Sequence, residues 1–104
     1  MNVEVIVTDE LLKKFKARMK IFHTAEDDDL KDILAASKRD VLSLVGSTAE
    51  TDERTTELIL NRSRYVYNDR LEFFHEHFQS IIFDLSLEYA TDLDGDVDAD
   101  QSTV

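Results

Sequence analysis

The sequence predicts an all-α fold: a small bundle of about four helices, with a short N-terminal strand or arm and an acidic C-terminal tail. Three observations lead there. Apolar residues recur at i, i+3 and i+4 through most of the chain, which is the spacing of one helix face. Proline is absent, and glycine occurs only at Gly46 and Gly95, so few positions break a helix or support a tight turn. The 104 residues with 42 % apolar content suit one domain with a modest core. Residues 1–90 read as the helical domain and residues 91–104 as the tail.

The elements follow in order. Residues 3–7, "VEVIV", are β-branched and partly alternating, which fits a short strand or an extended arm. Thr8 then reads as an N-cap, with Asp9 and Glu10 placed favourably at the positive end of a helix dipole. Leu11, Phe15 and Met19, with Leu12 beside them, form the first apolar stripe. "HTAEDDD" interrupts it, and Thr24 with Asp27 resembles a capping box carrying aspartate in place of glutamate. Leu30, Ile33, Leu34, Val41, Leu44 and Val45 mark a longer amphipathic helix, with Ser37 on its apolar face. Gly46 is placed to close that helix in the left-handed conformation. Residues 47–51 read as a loop, and Thr51 as the next N-cap. Leu58, Ile59, Tyr65 and Val66 give a third stripe. "YND" (residues 67–69) either bends the chain or is traversed by helix. Leu71, Phe74, Phe78, Ile81, Ile82, Leu85 and Tyr89 give a fourth helix, with a break near residues 75–77.

Charge and composition exclude several function classes. The net charge is −11, and Asp92, Asp94, Asp96, Asp98 and Asp100 carry five of those negative charges. General nucleic-acid binding needs a basic surface, so it is disfavoured. No cysteine is present, which excludes disulfides, thiolate catalysis and cysteine zinc sites. No apolar run approaches the roughly 20 residues of a membrane span, and the N-terminus lacks the basic region of a secretion signal, so a cytoplasmic product with no membrane partner is expected.

Each motif has a bland and a functional reading. "DLDGDVDAD" (residues 92–100) invites comparison with a calcium loop. Setting Gly95 at the sixth position of that loop puts Ala90 first and Gln101 twelfth, so both key ligands are missing. His75 and His77 stand at i, i+2 and point to different faces of a helix, which does not suit a shared metal. No serine sits in a glycine-flanked elbow, and no carboxylate pair stands out. Hence no catalytic residue, no metal site and no cofactor is expected. Candidates for partner binding are the basic face of the first helix (Lys13, Lys14, Lys16, Arg18 and Lys20), the aromatic Phe73 beside the fourth stripe, and the tail aspartates Asp92, Asp94, Asp96, Asp98 and Asp100. Segregated basic and acidic blocks also suit head-to-tail contacts between copies.

The order of these features resembles that of the small head–tail connector (adaptor) proteins of long-tailed phages. The first half carries it through the helix opening at residues 8–11, the Asp28, Asp29, Leu30 start of a long helix, the alanines Ala35 and Ala36, and the closing Gly46. The second half carries it through Arg-Tyr-x-Tyr-Asn-Asp at residues 64–69 and Phe-Gln-Ser at residues 78–80. The likeness covers residues 8–90 and consists of helix patterns rather than a chemical signature. It implies a non-enzymatic virion protein that forms a homo-oligomeric ring of about a dozen copies below the portal protein. Such a ring extends the DNA channel, passes DNA without sequence-specific binding, and docks the stopper or tail-completion protein. On that expectation the acidic tail is an arm that pairs with basic portal residues, or a surface that repels DNA in the channel. The alternative is a small acidic interaction protein, such as a DNA-mimic inhibitor or a regulatory partner.

Overall fold

The computed structural model describes residues 7–46 and 52–93. Those residues form four helices, α1 (Asp9–Met19), α2 (Asp27–Val45), α3 (Glu53–Tyr67) and α4 (Phe74–Leu93), with a 3₁₀ turn at Leu71–Phe73 before α4. No strand occurs among the described residues. The fold is thus the expected small all-α bundle. Of the expected N-terminal strand, only Val7 is described, and it is irregular; residues 3–6 lie outside the described residues. The N-cap expected at Thr51 falls instead on Asp52, whose carboxylate reaches the Arg54 N–H, and tail residues 94–104 lie outside the described residues. The helical backbone of α4 continues through Leu93.

Local chemistry explains the helix ends. Thr8 caps α1, its Oγ1 accepting from the Leu11 N–H at 3.1 Å. α1 closes on Lys20, which adopts a left-handed conformation with φ 59°. There the Lys20 N–H donates to the Ala17 carbonyl at 3.2 Å and the Ile21 N–H to the Lys16 carbonyl at 2.9 Å. This double bond pattern satisfies carbonyls that a helix end otherwise leaves open, and the buried Ile21 anchors it. The capping box expected at Thr24 does not form. The N-cap of α2 is Glu26, without a side-chain cap, and the Thr24 carbonyl accepts from the Asp27 N–H in a turn instead. Three aspartates in the first turn of α2 supply the favourable charge there. Gly46 closes α2 with φ 78°. Asp52 caps α3, accepting from the Arg54 N–H at 2.8 Å. Asp69, with φ 58°, ends α3 in the same way that Lys20 ends α1.

The core lies where α2 packs on α3 and α4, with α1 laid against α2. Phe15, Leu30, Leu34, Leu58, Ile59, Leu60, Phe74 and Leu85 are fully buried. Burial of such side chains contributes roughly 1.5–3 kcal/mol each before entropy is counted. Three polar residues share this interior, Ser37, Thr55 and Ser63. Each is satisfied: Ser63 donates to the Ile59 carbonyl, Thr55 pairs with the Tyr89 hydroxyl, and Ser37 accepts from Arg62. α4 kinks at Phe78 (φ −114°, ψ 16°), close to the expected break. No described helix is long and apolar enough to cross a membrane.

Candidate functional site

The end of α3 and the start of α4 build an open pocket. Asn68, Asp69 and Arg70 turn the chain through the left-handed Asp69, and the Arg70 N–H donates to the Tyr65 carbonyl at 2.7 Å. That bond brings Arg70 back beside Tyr65. The 3₁₀ turn then continues from Arg70, whose carbonyl accepts from the Phe73 N–H at 3.0 Å. The resulting cavity, about 230 Å³, is lined by Arg64, Tyr65, Asn68, Arg70, Phe73 and His77.

Its walls are aromatic and cationic. The Arg64 guanidinium lies 5.2 Å from the centre of the Tyr65 ring and donates to Asn61 Oδ1 at 3.1 Å. The Tyr65 hydroxyl and His77 Nδ1 share a hydrogen bond of 2.7 Å. The Phe73 ring stacks on His77 with centroids 6.0 Å apart, and stays 38 % exposed. Among the described residues, neither Arg64 nor Arg70 is ion-paired to a carboxylate. Asp69, Glu72 and Glu76 are near in sequence, but none lines the cavity. Chemically, the site offers guanidinium donors and a flat apolar wall. It fits an anion joined to an apolar group.

The basic face of α1 is divided by the fold. Lys16 Nζ is bound to Asp27 Oδ1 at 2.6 Å. Arg18 donates through both terminal nitrogens to Glu57, at 2.7 and 3.0 Å. These two cations therefore tie α1 to the start of α2 and to α3. Lys13, Lys14 and Lys20 remain exposed. Lys14 lines a second depression with Thr8, Glu10, Leu11 and Thr56. Phe73 falls in the aromatic pocket, apart from the α1 cations. Asp92 lies on the last turn of α4, and Asp94, Asp96, Asp98 and Asp100 lie outside the described residues.

Arg64, Tyr65, Arg70 and His77 were not singled out from the sequence as a site. The signal was the run "RYVYNDR", where arginines flank tyrosines and an Asn-Asp pair. Only the left-handed turn shows that both arginines face one cavity. The histidines do diverge: His75 Nε2 lies 3.9 Å from Asp40, whereas His77 is engaged by Tyr65. Among the described residues no three His, Cys, Asp or Glu side chains gather as a metal-binding group.

Three carboxyls elsewhere are held below their ordinary range by hydrogen bonds from arginine: Glu57 by Arg18, and Asp52 and Glu88 by Arg54. Arg18–Glu57 joins α1 to α3 and Arg54–Glu88 joins α3 to α4, Asp52 is bound within the first turn of α3, and none of these residues lines the pocket. Comparison of the chain with protein-family models, with curated proteins and with solved structures finds no match.

Proposed function

We propose that this chain is a structural assembly subunit, namely a head–tail connector (adaptor) of a tailed phage that builds an oligomeric ring below the portal. In that role it extends the DNA channel and docks the stopper or tail-completion protein. The observation that carries the reading is apolar surface left outside the folded unit. Phe83 and Leu87, one turn apart on α4, are 60 % and 51 % exposed, and Phe22, in the link between α1 and α2, is 86 % exposed. Exposed apolar residues on two different elements suit a head-to-tail contact between identical subunits, which closes into a ring when the rotation allows. The helix patterns at residues 8–46 and 64–90 that resemble connectors point the same way.

The test is electron microscopy of the chain co-expressed with the products of its neighbouring genes. A ring of this protein seated on a larger portal ring is the expected result. Purification as a small complex with a basic or DNA-binding partner, never joining a ring, overturns the connector reading in favour of an acidic inhibitor or regulatory partner.

A further inference from the structure

We propose that the pocket at the α3–α4 junction receives residues 94–100 of a second copy of this chain. The inference deepens the assembly reading by naming one contact between subunits, and it rests on that reading for its biological setting.

The argument begins with charge. In a chain of net charge −11, Arg64 and Arg70 share one cavity, and neither is ion-paired to a carboxylate among the described residues. Guanidinium groups bind carboxylates through paired donors, so the site calls for an acidic group. It also calls for an apolar one, because Phe73 presents an exposed ring stacked against His77.

The segment "DGDVDAD" has both properties in alternation. Asp94, Asp96, Asp98 and Asp100 take every second position, and Gly95, Val97 and Ala99 fill the others. In an extended chain, alternate side chains point to opposite edges and repeat every ~6.6–6.8 Å. One edge then offers carboxylates to the two arginines while the other offers Val97 and Ala99 to the aromatic wall. A nucleic-acid strand also offers anions, with bases that stack on aromatic rings, but the acidic segment is tethered to every copy and so reaches the pocket at high local concentration in an assembly.

Reach favours a second copy over the same one. The pocket sits at the start of α4, and the acidic segment leaves from its end. At 1.5 Å per helical residue, His77 is about 24 Å from Leu93. Fully extended from Leu93, the chain carries Asp100 at most about 24 Å, and only after reversing direction. Asp94, Asp96 and Asp98 fall short of their own pocket. The next subunit in a head-to-tail series can present its pocket at that end.

A fluorescent peptide of residues 92–104 titrated with the full-length chain tests this by anisotropy. Saturable binding is expected, weakened roughly tenfold or more by the double change Arg64→Glu, Arg70→Glu and by raised salt. A peptide with asparagine at positions 94, 96, 98 and 100 is expected not to bind, which keeps the test valid if the arginine variant misfolds. Phe73→Ser, which keeps both arginines, should weaken the native peptide but not a peptide that already lacks Val97. Failure of the native peptide to bind overturns the proposal, as does binding that the arginine change leaves intact. A pocket that ignores the peptide but holds a single-stranded oligonucleotide is a nucleic-acid contact instead. Binding of the peptide is decided independently of ring formation, so a ring without peptide binding removes this inference and leaves the connector reading, and the reverse also holds.

Discussion

Arg62 on α3 donates through Nη1 to the buried hydroxyl of Ser37 on α2, at 3.0 Å. Its Nε donates to Asp40 at 2.9 Å, so one side chain closes the polar gap between two core helices. Arg62→Ala is expected to lower stability by about 2 kcal/mol, because the serine loses its partner within an apolar interior. Ser37→Ala is expected to cost less, about 1 kcal/mol, since Arg62 keeps Asp40. Urea unfolding of both variants checks the order, and equal costs would show that the bond to Asp40 adds nothing.

Phe74 makes the sharpest packing prediction. It is fully buried at the first position of α4, edge-on to Tyr65 at 5.9 Å and 5.1 Å from Phe78. Phe74→Ala is expected to cost about 3–5 kcal/mol. Phe73→Ala, one residue earlier and exposed, should cost under about 1 kcal/mol. Thermal unfolding of the pair separates a core ring from a surface ring.

Gly46 tests backbone strain without steric clash. Its φ is 78°, and no described residue stands within 4 Å of the place where a Cβ would go. The cost of Gly46→Ala is then conformational alone, roughly 1–2 kcal/mol. Gly46→Asn should recover part of it, because asparagine tolerates this conformation better. A loss well above that for alanine would mean that an unforeseen contact fills the space.

Acid should weaken the molecule through the arginine-bound carboxyls. Hydrogen bonds from Arg54 hold Asp52 and Glu88 below the ordinary range, and those from Arg18 do the same for Glu57. A depressed folded pKa stabilises above the unfolded value and loses that contribution as pH falls through the folded one. These groups therefore contribute fully above about pH 5, and their contribution drains away below about pH 4. The pairs are exposed, so the effect is small and fades in about 0.5 M salt. Denaturation midpoints from pH 7 down to 3, for the native chain and for Arg54→Ala, should show a shallower acid slope in the variant.

How far the sequence told this story depends on the length scale of each interaction. The stripes at Leu11 and Phe15, at Leu30, Leu34 and Val41, and at Phe74 and Leu85 were legible because one helix face repeats in register with its own backbone. Gly46 was legible because only one residue type takes that conformation freely. Lys20 and Asp69 were not, since both adopt it against their steric preference. Lys16 and Arg18 were read as a free basic face. Their partners Asp27 and Glu57 belong to other helices, and Glu57 is 39 positions from Arg18. Pairing at that distance leaves no periodic trace. The aromatic pocket was half visible through Phe73, but its arginines needed the turn at Asp69.

That pocket has a further property. All six of its lining residues fall between positions 64 and 77, so it is made from one continuous stretch of chain. Closing so short a loop costs little entropy. The stretch is closed by its own backbone bond from Arg70 to Tyr65. It is in effect a cassette, transferable to another helical hairpin that supplies a ledge for Phe74.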